Sequence, residues 1–427
     1  MKPRTRFAIS TVTFDTAAAL VAGVATSIYV YGAPWPTLGP FQNPRPMMAL
    51  FLFGIIFGSW QSLRWVEPYV PRPRYARAFT TAAIALTAVL LGQAALRIYY
   101  SRAWVAVAVG SWFILALIHR AIRSRTRWVE SLVVVTDEKA LVDDLAESPH
   151  AEVVDVLSPR GEPPPSALPA NTTLVVDLRA VLSDQMATFV SSSTLAGLEV
   201  RSLSNVYEEH TGRVALIHLA EGWEISVPLE RRAPYVPFKR LLETVLVLAT
   251  SPLWIVLGAI TWVLVKLGSP GPALFRQQRT GFNDRPFTML KFRTMVEGAD
   301  DDGPQFTTPD DPRITRVGRF LRMTRLDEIP QLINVLMGDS ALVGPRAEQV
   351  AFAQQFERLI PFYRYRHLVR PGITGWAQVH AGYADDVTDT IEKLTYDLYY
   401  ARHMSPWLDL SILGKTMATV LSRHGAQ

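Results

Sequence analysis

The chain contains no cysteine in 427 residues. That excludes disulfides, thiolate catalysis and cysteine-ligated metals, and nothing requires an oxidising compartment. Charge is sparse as well: 19% of residues are Asp, Glu, Lys or Arg, against 49% hydrophobic. With a mean hydropathy of +0.14 the chain is more apolar than an ordinary soluble protein, so membrane segments are expected. The charge that is present leans basic, +5 with a pI near 9.4. Its arginines cluster beside apolar runs, which points to membrane lipid and phosphate, with no nucleic acid partner.

Four apolar stretches occupy the first third: about Phe7–Tyr31, Met47–Leu63, Ala78–Tyr99 and Ala103–Ile122, each near bilayer-spanning length. The second is the weakest, interrupted by Gly54 and Gly58. Lys2, Arg4 and Arg6 precede the first, Arg64, Arg72, Arg74 and Arg77 separate the second from the third, and Arg120, Arg123, Arg125 and Arg127 follow the fourth. Both ends of this unit are therefore expected on the cytoplasmic side. The first run is too long for a cleaved signal and lacks a small-residue cleavage site. Asp15 within it reads equally as a functional group or as a packed, hydrogen-bonded acid.

From Ser131 short apolar runs, "LVVV", "VVDVL" and "TLVVDL", alternate with polar helical stretches, the rhythm of a βα layered domain with a parallel sheet. The turn after "SLVVV" reads "TDEKA" and has no G-x-G-x-x-G, so a dinucleotide site is not expected and the domain reads as structural or regulatory. "GEPPPSALP", Gly161–Pro169, is a loop within it, and "PLERRAPYVPFKR", Pro228–Arg240, leads out. A fifth apolar segment, Thr244–Val265, is long enough to cross, yet Lys239 and Arg240 precede it and Lys266, Arg276 and Arg279 follow it. Cations on both sides argue for one face, and Ser251-Pro252 supplies a break at which the segment can turn back.

In "RLDEIPQLINVLMGD", Arg325–Asp339, the spacing of Ile329, Leu332, Ile333 and Leu336 predicts a buried helix with Pro330 in its first turn and Asp327 and Glu328 at its start. Such acids suit a cap and equally suit a nucleophile. Around them stand "SPGPALFRQQRTGFNDRPFTMLKFRTM", "GDSALVGPRAE" and "RPGITGWAQV", where arginine forks and glycine turns are apt for phosphate.

Those blocks, in that order, resemble the bacterial sugar transferase family, specifically the large monotopic phosphoglycosyl transferases that initiate exopolysaccharide, capsule and O-antigen repeat units. The likeness is dense from Phe238 to about Leu421, and "NVYEEHTGRVAL", Asn205–Leu216, is similar to that form's lead-in. The resemblance implies transfer of a hexose 1-phosphate from a UDP-sugar to polyprenyl (undecaprenyl) phosphate at the bacterial inner membrane, with release of UMP and a requirement for Mg2+. It implies that Asp327 forms a covalent phosphosugar intermediate and that Asp327 and Glu328 serve as the catalytic and metal-holding dyad. Arg322, Lys291, Arg293, Pro345, Arg346, Arg370 and Gln378 match substrate-side positions, and Ser251 and Pro252 match the break of a re-entrant membrane helix. The expected fold is membrane α plus α/β: four transmembrane helices over 1–127, a degenerate Rossmann-like cytoplasmic domain over 128–227, a linker and re-entrant helix over 228–272, and a mostly helical catalytic domain over 273–427.

Two departures stand out. The family often reads Pro-Arg-Pro where this chain has Pro345-Arg346-Ala347, and His380 stands where an Asn often follows "AQV". The alternatives are a polytopic transferase without a covalent intermediate and a non-catalytic membrane scaffold of a polysaccharide assembly complex. The sugar and a homodimer are left open.

Overall fold

All four N-terminal apolar stretches are helical: α1 (Pro3–Tyr31), α2 (Pro44–Arg64), α3 (Ala76–Leu96) and α4 (Arg102–Ser124). The structure is a computed structural model that describes residues 3–34, 44–64, 76–96, 101–124, 129–165, 168–169, 171–219, 235–299, 311–381 and 387–422. The chain divides at Thr211/Gly212 into two units.

In the first unit α1 packs on α2 and α4, and α3 packs on both as well, around Met47, Phe51, Ile55, Trp104 and Trp112. Gly54 and Gly58, read as interruptions, are instead a packing face. A Cβ at Gly54 would lie 2.6 Å from Ala85 Cα and one at Gly58 3.1 Å from Thr81 Cα, so the small pair brings α2 against α3. Among the described residues, four helices contain a segment long and apolar enough to cross a membrane: Ile9–Tyr31, Arg77–Ala95, Arg102–Ile122 and Ser251–Gly268. Asp15 is the packed acid of the two readings. Arg120 donates to its Oδ1 at 3.0 Å and to its Oδ2 at 2.8 Å, and Ser59 Oγ donates to Oδ2 at 2.8 Å.

The remainder of this unit alternates as expected: β1 (Glu130–Val135), α5 (Lys139–Ala146), β2 (Ala151–Leu157), β3 (Thr172–Val176), α6 (Asp184–Leu195), β4 (Glu199–Ser202) and α7 (Leu203–Thr211). The strands form a parallel sheet in the order β2-β1-β3-β4, with Val133, Val135, Leu174, Val176 and Met186 buried on one face.

The second unit begins with a buried segment. Val214 and Leu219 lie in its main core, and Trp376 Nε1 donates to the Gly212 carbonyl at 2.8 Å. The division therefore falls ahead of the 227/228 boundary expected from composition. Pro228–Pro234 lie outside the described residues, and the rest of the expected linker is already helix: α8 (Tyr235–Ala249). A break at Thr250 separates it from α9 (Ser251–Gly268), which has proline in its first turn. Trp254 Nε1 donates to the Val247 carbonyl across that break at 2.9 Å. β5 (Leu274–Thr280) and β6 (Pro286–Phe292) form an antiparallel hairpin. Then come α10 (Arg316–Thr324), a 3-10 turn at Leu326–Glu328, α11 (Gln331–Met337), β7 (Ala341–Val343), α12 (Val350–Leu359), β8 (Gly372–Thr374), α13 (Val387–His403) and α14 (Pro406–Ser422). β7 and β8 pair in parallel.

Candidate active site

The two carboxylates sit where one helix ends and another has not begun. Thr315 caps the start of α10, and Arg325 closes its end in the left-handed conformation, φ 58°. The chain then makes the Leu326–Glu328 turn, with Glu328 N donating to the Arg325 carbonyl at 3.2 Å. α11 starts only at Gln331, after Pro330. The acids thus lie in a separate turn ahead of the helix. The helix also buries the face opposite to the one its apolar spacing predicts. Gln331, Asn334 and Val335 are inside, whereas Ile333 is 39% and Met337 58% exposed. Asn334 explains the choice: its Oδ1 accepts from Leu290 N at 3.0 Å and its Nδ2 donates to the Thr288 carbonyl at 2.8 Å, so it stitches α11 to the edge of β6.

Both acids are only 8% exposed, and their surroundings differ. Three cations converge on Glu328 Oε1: Arg346 Nη2 at 3.4 Å, Lys291 Nζ at 3.5 Å and Arg325 Nη1 at 3.8 Å. Burial alone would raise the Glu328 pKa, but Lys291, Arg346 and Arg325 outweigh it and hold the carboxyl at about 2. Asp327 goes the other way. Burial and the neighbouring Glu328 charge raise its pKa, against the pull of Lys291, Arg325 and Arg322. Its Oδ1 is buried without a hydrogen-bond partner. Burial lowers Lys291 from 10.5 to about 8, partly offset by Glu328. A buried carboxylate oxygen without a donor, beside converging cations, is incomplete chemistry. A divalent cation would complete the oxygen, and an incoming phosphate would answer the cations.

The remaining expected site residues divide. Lys291, Arg346 and Arg322 gather at the acids, Arg322 through its charge on Asp327 and a bond from Nε to Thr294 Oγ1 at 2.9 Å. Arg293 turns to the end of α9, donating to the Ser269 carbonyl and hydroxyl at 3.0 Å each. Pro345 accepts from Gly372 N at 2.9 Å and so ties the Arg346 loop to β8. Arg370 donates to the Gly338 carbonyl at 3.2 Å and lies over the Phe282 ring. Gln378 donates to the Ile373 carbonyl at 3.1 Å. His380 belongs to a scaffold cluster, its ring tilted against Trp376 at 3.8 Å, stacked on Tyr396 at 5.4 Å and paired with Lys415. Arg325 was not singled out in the sequence. Its signal was its position immediately before "LDE", one turn from Glu328.

Donor chemistry also bears on the metal. Among the described residues no group of three or more His, Asp or Glu side chains converges. Mg2+, however, is commonly held by one or two carboxylates together with substrate phosphates. The unpartnered Asp327 oxygen fits that role, and Glu328 meets its three cations through Oε1.

A membrane-associated domain with an ionised acid under three cations and a second, partnerless acid beside it is suited to anion handling. Residues 234–423 match the family described as bacterial sugar transferase. The chain is 43% identical over 258 residues to the UDP-N-acetylgalactosamine-undecaprenyl-phosphate N-acetylgalactosaminephosphotransferase of Aeromonas hydrophila, covering 60% of each protein. It is 42% identical over 229 residues to the UDP-glucose:undecaprenyl-phosphate glucose-1-phosphate transferase of Xanthomonas campestris pv. campestris, covering 52% of this chain and 46% of that protein. It is 40% identical over 188 residues to an exopolysaccharide production protein of Rhizobium leguminosarum bv. phaseoli, covering 43% of this chain and 91% of that protein. The chain belongs to the bacterial sugar transferase family. Its matches span 60% and 46% of the lengths of the first two relatives.

Proposed function

We propose that the chain transfers a hexose 1-phosphate from a UDP-sugar to undecaprenyl phosphate at the cytoplasmic face of the bacterial inner membrane, releasing UMP as the first step of a surface polysaccharide. The observation that carries this reading is the pairing of Asp327, whose Oδ1 has no partner, with Glu328 held beneath Lys291, Arg325 and Arg346. The names of the relatives supply the substrate classes.

In the proposed mechanism the cations receive the diphosphate of the UDP-sugar. An Asp327 carboxylate oxygen attacks the phosphorus that bears the sugar, and the bond from that phosphorus to UMP breaks, its electron pair leaving with UMP. A phosphate oxygen of undecaprenyl phosphate then attacks the same phosphorus and expels the Asp327 carboxylate, which is restored. Taking the two anionic substrates in turn avoids bringing both together. Mg2+, when bound through Asp327 and substrate phosphates, supplies further positive charge at the diphosphate.

The arrangement of α8 and α9 supports a hairpin that enters and leaves by one face. A continuous helix over both would run about 50 Å. Yet α8 packs on α11 and β7, and α9 packs on α10, β6 and the 3-10 turn of the acids. Between these anchors Leu253, Ile255 and Val256 are exposed, as lipid-facing residues would be.

The test is transfer of label from a panel of UDP-sugars into undecaprenyl phosphate by the purified protein in nanodiscs. One sugar should label the lipid in an acceptor-dependent way; absence of labelled lipid with every UDP-sugar would overturn the reading.

A further inference from the structure

A buried ionic knot in the second unit joins elements that are far apart in sequence. Lys239 of α8 donates from Nζ to Asp409 Oδ2 at 2.6 Å, to the Tyr400 hydroxyl at 2.9 Å and to the Val343 carbonyl at 2.8 Å. Glu243, one turn along, accepts with Oε1 from Leu342 N at 3.0 Å and from Val343 N at 3.4 Å, and lies 3.3 Å from the Lys239 ammonium. The Tyr235 and Tyr400 hydroxyls donate to Asp409 at 2.6 and 2.8 Å. Lys239, Glu243 and Asp409 are all buried. Ion pairs at such depth hold helices together no better than apolar packing of the same shape. What the polar version adds here is a grip on backbone.

That grip is on β7. One edge of this short strand pairs with β8. On the other side Lys239 and Glu243 take the place of a strand, accepting or donating at Leu342 N, Val343 N and the Val343 carbonyl. Gly344 follows, where a Cβ would come 2.9 Å from Gly372 N, then Pro345, then Arg346 with its guanidinium on Glu328. The next residue of α8, Arg240, donates to the Val335 and Leu336 carbonyls at the end of α11, whose start adjoins Asp327 and Glu328. One arm of the membrane hairpin thus holds both flanks of the acid pair.

We propose that Lys239 and Glu243 are positioning residues that couple the seating of α8 to the placement of Arg346, so that the diphosphate-receiving cation is in register only while α8 is docked on β7. This rests on the transferase reading above. Its experiment has two readouts on the full chain in nanodiscs, taken for Lys239→Met, Glu243→Gln and Lys239→Arg, with Arg346→Ala as the partner in a double-mutant cycle.

Hydrogen exchange at the Leu342 and Val343 amides should accelerate at least about tenfold in Lys239→Met, while the α12 and α13 amides keep their protection. KM for the UDP-sugar should rise by about tenfold, the loss expected for one charge-assisted contact. It should rise no further when Lys239→Met is added to Arg346→Ala. Lys239→Arg should restore most of the affinity. If Lys239→Met does not fold, the nearly isosteric Glu243→Gln carries the same two readouts. Faster exchange with an unchanged KM, or KM effects that multiply with Arg346→Ala, would overturn the coupling. If the wild-type protein turns over no UDP-sugar, it is the transferase reading that fails. Exchange then decides the clasp alone, and unchanged protection of β7 would overturn it.

Discussion

Lys291 Nζ lies 3.5 Å from Glu328 Oε1, and burial lowers this ammonium to about 8 from an ordinary 10.5. The cation is present below that pH and is lost as pH rises through it. If Lys291 receives phosphate, kcat/KM for the UDP-sugar should be level below about 8 and then fall by about tenfold per unit. Lys291→Arg, which stays charged, should remove the fall at some cost in geometry. A wild-type profile level to pH 10 would remove Lys291 from phosphate binding.

Gly318 is a packing constraint behind Arg322. A Cβ there would stand 2.6 Å from the Thr294 carbonyl carbon, and Thr294 is the residue that Arg322 hydrogen-bonds. Gly318→Ala should cost about 1–3 kcal/mol by overpacking and weaken UDP-sugar binding. An unchanged melting temperature in nanodiscs would show that α10 can retreat freely.

Topology can be read without removing native cysteines, since there are none. Pro237, in the first turn of α8, and Pro270, just past the end of α9, are both exposed. Single cysteines placed there should react with an impermeant maleimide from the same, cytoplasmic side. Labelling from opposite sides would mean that the segment spans.

The second unit should carry the chemistry by itself. The Rhizobium relative is matched over 91% of its length by 43% of this chain, so it has little beyond the matched part. A truncated chain beginning at Gly212 should retain transfer. One beginning at Pro234 should be less stable, because it loses Val214 and Leu219 from the core and the Gly212–Trp376 bond. Loss of all activity from a folded, membrane-bound Gly212 truncation would show that the first unit helps to build the site.

Much of the architecture was legible in the sequence because its signals are local. Helix-length apolar runs, the βα rhythm and Ser251-Pro252 each announce themselves within a few residues. Two readings inverted for one physical reason. Apolar spacing predicts burial at Ile333, which is 39% exposed, and the glycines that interrupt the second apolar run form its contact with α3. An apolar face beside a membrane can stay outside the protein core, and within a bundle of apolar helices small residues mark close contact. The site was legible as a cluster of types but not in its division of labour. The cations on Glu328 come from residues as distant as Lys291 and Arg346, and which oxygen is left unpartnered depends on their convergence in space. The Lys239–Asp409 pair, 170 residues apart, has no local signature at all.

The central claim is that Asp327 becomes bonded to the transferred phosphorus, and single-turnover release of UMP without undecaprenyl phosphate tests it most directly. The account predicts a burst of about one UMP per active site, a phosphosugar mass on the peptide containing Asp327, and neither signal in Asp327→Asn. UMP release that waits for the lipid acceptor, or a burst that survives in Asp327→Asn, would contradict it.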